Sequence, residues 1–128
     1  MRLWPISILN KLPRQQLLGQ HRECCALRGM GWGRKHATVD YVFEHPYFWL
    51  FKYHLEVIYE MDRRGYKINP KWGYYKYRGS KIGCDETNFA KPTNIEDFKS
   101  IYPEHNKTYL CECIENLKWK GVILHGID

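Results

Sequence analysis

Acidic side chains are almost missing from the first quarter of this sequence. Glu23 is the only Asp or Glu before Asp40, whereas residues 1–36 hold seven Lys/Arg (Arg2, Lys11, Arg14, Arg22, Arg28, Arg34 and Lys35). Residues 37–128 hold 13 basic and 13 acidic side chains, so the whole net charge of +6 belongs to the amino-terminal segment. No apolar run is long enough to span a bilayer, and the mean hydropathy is −0.61. The start "MRLWPISILNKLPR" lacks a long apolar core and a small-residue cleavage site, which argues against a signal peptide. Cysteine is neither scarce nor even in number. Five thiols without an export signal are expected to be reduced, in a cytoplasmic, nucleoid-associated protein. Their spacing is not that of a zinc ribbon or finger, and no metal or cofactor is expected; cysteines at core positions of helices are the simpler reading. Repeats, low-complexity tracts and a second domain are also lacking.

What is present fits one all-α domain over residues 1–128, with three main helices and long connecting loops. Pro13 suits the first turn of a helix running to Leu27 or Arg28, and Gly29, Gly31 and Gly33 then force a loop. Thr38 can cap a short helical segment through Phe43, although "TVDYVF" also partly fits a strand. From Pro46 to Gly65 two adjacent faces are mostly apolar: Phe48, Phe51, Leu55, Ile58 and Asp62, then Tyr47, Leu50, His54, Val57 and Met61. That pattern predicts a central, largely buried helix. Residues 66–94 read as an irregular middle, with Asn94 capping a short turn. Pro103 is expected to open a last helix, whose apolar stripe is Leu110, Cys113, Ile114 and Leu117 and whose stop is Gly121.

A positive field confined to one segment suits a polyanion, and nucleic acid is the commonest; a basic solvated face is the plain alternative. Projected at 100° per residue, the first long helix turns Leu17, Leu18, His21, Cys24 and Cys25 to one side. Gln15, Gly19, Arg22, Glu23 and Ala26 fall on the other, where Gly19 and Ala26 leave an open floor around the lone carboxylate. A second feature is "KWGYYKYRGSK", residues 71–81, with four aromatics, four Lys/Arg and no acid. Interleaved rings and cations suit stacking on unpaired bases and gripping a backbone, and point to Tyr75, Lys76, Tyr77 and Arg78 as DNA contacts.

"LPRQQLLGQHRECC" followed by "RKH" (Arg34 to His36) resembles the opening of the pyrimidine-dimer DNA glycosylase family, of the phage endonuclease V type. "LEVIYEMDRRGYKI" and "IYPEHNKTYLCECIENL" are similar to its central helix and to the entry to its last one, so the likeness extends over about two-thirds of the chain. The resemblance implies a compact all-α fold. It implies removal of a base from a pyrimidine dimer, then strand cleavage at the abasic site, without metal or cofactor. The nucleophile it implies is the α-amine of the chain terminus, at Met1 or Arg2, which attacks the deoxyribose C1′ to give an imine. Glu23 matches the carboxylate that stabilises the cationic sugar, and Arg22 matches a phosphate contact. Double-stranded, damaged DNA is the expected partner of a monomer, held by Gln15, Arg22, Arg28, Arg34, Lys35 and His36.

This chemistry answers to the local composition. An α-amine has a pKa of about 7.7–8.0, low enough for part of it to be neutral and nucleophilic at neutral pH. A carboxylate among cations is positioned to face a developing positive charge. Two other readings stay open. A large, charged second residue, Arg2, favours retention of Met1 and with it a nucleic-acid-binding module without lyase chemistry. A hydrolase pairing Glu23 with His21 or His36 is the third reading.

Overall fold

The computed structural model describes residues 2–33, 38–85 and 102–125. Four helices are present among them: α1 (Ile6–Leu9), α2 (Arg14–Arg28), α3 (Tyr47–Arg63) and α4 (Lys107–Trp119). Short 3-10 turns lie at Asp40–Glu44 and Pro70–Gly73. No strand or sheet occurs among the described residues, and the only bridge pairs Tyr77 with Cys84. The all-α expectation holds. No described helix is long and apolar enough to cross a membrane.

Pro13 stands at the N-cap of α2 and Pro46 at that of α3, so each ring sits just outside the first helical residue. Helix α3 is central. It packs on α2 and α1, and Tyr47, Leu50, His54, Val57 and Met61 are all buried. Gly65, at φ +81°, turns the chain out of it in a conformation that a side chain would strain.

Two boundaries differ from expectation. Helix α4 begins at Lys107 rather than Pro103, because the Asn106 side chain accepts the Tyr109 N–H at 2.9 Å and fixes the cap there. Helix α1 was not expected; its Ile8 and Leu9 are buried, and one turn is too short for the apolar period to show. The segment around Thr38 resolves as the 3-10 turn at Asp40–Glu44, not a strand. The expected turn after Asn94 lies outside the described residues.

All five thiols are free. The expectation of core positions on helices holds for Cys24 and Cys113, whereas Cys111 is exposed on α4 and Cys84 is exposed in a loop.

Candidate active site and nucleic-acid surface

Helix α2 carries the expected site on its outward side. Gln15, Arg22 and Ala26 are exposed and Glu23 is half-buried. Gly19 is buried, so the floor beside Glu23 is covered rather than open at that point. Met1, Arg34, Lys35 and His36 lie outside the described residues.

The same helix holds the amino-terminal segment from its inner side through Gln20, which is fully buried. Gln20 Oε1 accepts the Trp4 N–H at 2.6 Å, and Gln20 Nε2 donates to the Arg2 carbonyl at 3.2 Å. The Trp4 N–H fixes which way the amide faces. Tyr53 of α3 adds its hydroxyl, 2.5 Å from the Trp4 carbonyl and 2.7 Å from Gln20 Oε1. Tyr109 of α4 donates to the Leu3 carbonyl at 2.7 Å. The Arg2 side chain lies over the Tyr109 ring, 5.9 Å from its centre. Residues 2–4 are thus bonded to three helices by neutral side chains, and Glu23 follows Gln20 by three positions, less than one turn along α2. Gln20 was not among the expected site residues. Its signal in the sequence is an amide within the apolar arc of α2, between Leu17 and Cys24.

Arg28 does not serve as a phosphate contact. It is fully buried, and all five of its N–H groups are used. Nε donates to the Tyr47 hydroxyl at 3.0 Å; the terminal nitrogens donate to His54 Nδ1 and to the carbonyls of Trp72, Tyr74 and Tyr77, each at 2.9 Å. Its guanidinium also lies over the rings of Phe51 and Trp72. Reading charge along a sequence counts every arginine as surface, and here an inward position on α2 makes one of them a tie between helix and loop.

That tie also divides the aromatic–basic run. Tyr77 is buried. Arg78 turns inward, donating to the Arg28 and Gly29 carbonyls at 2.9 and 3.0 Å and pairing with Asp85 at 3.0 Å. It satisfies the carboxyl end of α2, where a cation suits the helix dipole. A Cβ on Gly29 would meet the Arg78 carbonyl oxygen at 3.0 Å, which explains the glycine. Tyr77 and Arg78 are therefore structural. Tyr74 is exposed, Tyr75 and Lys76 are half-buried, and a shallow cavity of about 280 Å³ opens between Tyr74, Tyr75, Lys52 and the α3 residues Phe48, Phe51 and Leu55. A larger cavity of about 660 Å³, by Tyr59, Asp62, Tyr66 and Ile68, holds none of the expected site residues.

His21 turns away from Glu23. Its Nδ1 lies 2.9 Å from His54 Nε2, and its Nε2 lies 3.6 Å from Cys25 Sγ. Because Arg28 can only donate to His54 Nδ1, the neutral His54 ring carries its proton on Nε2 and donates to His21. Burial pushes both imidazoles below their ordinary value, His54 strongly, with the Arg22 and Arg28 charges adding to the shift of His21. Burial raises the Cys25 thiol to about 11. This arrangement removes support from a hydrolase built on Glu23 and His21.

The pyrimidine dimer DNA glycosylase family model matches residues 1–74. No curated protein and no solved structure matches the chain. The matched stretch contains α2 with Arg22 and Glu23, the Gln20-bound amino-terminal segment and the whole of α3, and it exceeds half the length. The chain belongs to the pyrimidine dimer DNA glycosylase family, a family of DNA repair glycosylases.

Proposed function

We propose that this protein removes a damaged base from a pyrimidine dimer or a related lesion and cleaves the strand at the resulting abasic site, through an imine on its terminal α-amine. The observation that carries this reading is the attachment of Arg2 and Trp4 to Gln20, within one turn of Glu23 on the same helix. A nucleophile at the chain end is useful only if the end is held, since a misplacement of about 1 Å costs around a hundredfold in rate. Here the holding groups come from three helices: Gln20 and Tyr53 are buried and Tyr109 is half-buried.

In this reading the neutral amine attacks C1′ and the bond from C1′ to the base breaks, the base leaving with a proton; the C1′–O4′ bond then opens, O4′ takes up a proton as a hydroxyl, and the imine to the opened sugar forms without loss of water. Glu23 faces the cationic sugar and imine and takes part in the proton transfers of β-elimination. Gln15 and Arg22, exposed on the same side of α2, contact the DNA together with Arg34, Lys35 and His36. Tyr75 and Lys76 offer a ring and a cation beside the cavity on α3, a place for an unstacked base. The protein acts as a monomer on double-stranded DNA, without metal participation in the reaction.

Borohydride reduction tests it. With a duplex containing one abasic site, reductant should trap a covalent complex whose cross-link maps to the α-amine of Met1 or Arg2. Glu23→Gln should abolish strand cleavage and leave binding intact or tighter; unchanged cleavage removes Glu23 from the mechanism. Binding without any trapped complex favours the second reading, a DNA-binding module without lyase chemistry, to which Arg2 at the second position lends weight.

A further inference from the structure

Two exposed apolar side chains stand at the carboxyl end of α2, each carried by a turn whose backbone has little freedom. Met30 is 56% exposed and lies between Gly29 and Gly31. A Cβ on Gly31 would meet the Ala26 carbonyl oxygen at 2.8 Å, as one on Gly29 would meet that of Arg78 at 3.0 Å. Ile82 is 38% exposed and lies in the turn from Arg78 to Gly83, with Ser80 and Lys81 exposed beside it. Gly79 and Gly83 have φ of +102° and +70°, conformations that a side chain would strain. The Gly83 N–H donates to the Gly79 carbonyl at 2.7 Å, and the Arg78 N–H donates to the Gly83 carbonyl at 2.8 Å. The Arg78 guanidinium stakes the base of this turn to the Arg28 and Gly29 carbonyls.

Single exposed apolar residues are ordinary on a protein surface. These two share one helix end, and glycines on both sides hold each of them out. Their place is also informative. Gly29 follows Arg22 by seven positions, so it continues the outward row of Arg22 and Ala26 two turns further on. Arg78 covers Gly29, and the turn is therefore seated on the face of α2 assigned above to DNA. We propose that Met30 and Ile82 form a wedge that enters the base stack of the bound duplex beside the lesion, with Lys81 on a flanking phosphate. The proposal rests on the reading that this face of α2 binds DNA.

The chemistry suits that partner. Isoleucine and methionine are among the side chains that DNA-kinking proteins insert between base steps. The stack offers them an apolar interior, and the phosphates around it offer a cation its counter-charge. Residues 71–83 contain no acid to repel those phosphates. Asp85 takes up the charge of Arg78 at 3.0 Å, and Lys81 stays at the exposed tip. A wedge whose backbone is already fixed gives up little freedom on insertion. Unstacking costs least where a lesion has already disturbed the stack, so the wedge favours damaged over intact duplex. Met30 and Ile82 are in this way specificity-determining residues, apart from the groups that carry out the reaction.

The test uses the full chain and a duplex whose abasic site is a tetrahydrofuran analogue, which cannot form an imine, with 2-aminopurine as the neighbouring base. Wild-type binding should raise the 2-aminopurine fluorescence severalfold as that base unstacks. Ile82→Thr and Met30→Gln keep the shape of each side chain and remove its apolar end. Each should reduce the rise, and the double variant should bind the lesion duplex at least about tenfold more weakly while its affinity for intact duplex changes by less than about twofold. Ile82→Leu should keep the wild-type rise. Lys81→Gln should lower the slope of log affinity against log salt by about 1. All these side chains are exposed, so the unfolding midpoints should stay at the wild-type value. A wild-type complex without a fluorescence rise, or a double variant that keeps both the rise and the discrimination, overturns the wedge. Wild-type protein that binds neither duplex overturns the DNA reading of α2 as well. A wild-type dimer in sedimentation that the double variant dissociates would give this patch to a second copy of the chain and overturn the proposal too.

Discussion

Two irregular segments of this molecule are fixed in opposite ways. Residues 2–4 are held by amide and phenol groups: Gln20, Tyr53 and Tyr109. Residues 72–78 are held by guanidinium groups, with Arg28 donating to three of their carbonyls and Arg78 returning two bonds to the end of α2. Both devices solve the same problem, the pairing of buried backbone without a sheet. They differ in what they do to their surroundings. Burial lowers the pKa of the histidines beside the cationic clamp, and the Arg28 charge adds to the shift. A neutral clamp brings no such charge, so it positions the amino-terminal backbone without itself altering the electrostatics of an amine. The comparison suggests why a chain with seven basic residues in its first 36 uses a glutamine at position 20.

The sharpest way to break the comparison is Arg28→Met. It leaves His54, Tyr47 and three carbonyls without their donor, and thermal or denaturant unfolding should show a loss of about 3–5 kcal/mol. An unfolding free energy within about 1 kcal/mol of wild type would mean that water replaces the guanidinium.

Acid should separate the two regions next. His105 packs among Tyr41, Tyr53, Tyr102 and Tyr109, close to the neutral clamp, and burial lowers it from 6.5 to about 4. Between those values the unfolded chain takes up a proton that the folded chain refuses. Stability therefore falls as pH drops from about 6.5 to about 4, by about 3 kcal/mol, and levels off below. His21 and His54 add in the same direction, so the His105 share is the part that His105→Gln removes from the pH dependence of unfolding. An identical pH profile in the variant would refute the assignment.

Gln20→Leu leaves the Trp4 N–H unpaired and should cost about 2–3 kcal/mol in unfolding free energy. In the proposed reaction it should also slow imine trapping more than it weakens DNA binding. A parallel fall in both would make Gln20 merely structural. The mildest change, Tyr109→Phe, removes one of the bonds to the amino-terminal segment, the one to Leu3. A loss of about 1 kcal/mol is expected, read from the shift in denaturant midpoint.

The main helices were legible because their signals are local. Pro13 and Pro46 precede clear apolar faces, and Gly65 follows one. The start of α4 was misplaced because Pro103 and Asn106 are both plausible openings, and only the Asn106 side-chain bond to Tyr109 decides between them. The outward face of α2 was legible in part: Gln15 and Arg22 are exposed and Glu23 is half-buried, whereas Gly19 is buried. It was not legible where a side chain crosses between elements. Arg28 reaches carbonyls 44 to 49 positions away, and His54 meets His21 across 33. Nothing in spacing marks such partners. An arginine read as surface charge was a buried tie, and two of the four residues assigned in the aromatic–basic run, Tyr77 and Arg78, were its counterparts.

The bond from Tyr109 to Leu3 joins residues 106 positions apart. A chain is made from its amino end, so Leu3 is synthesised long before the helix that completes its seat exists. Leu3 thus waits for α4, and a chain cut short before α4 leaves this segment without that anchor. If the amine is the nucleophile, its seat is completed only once α4 has been made.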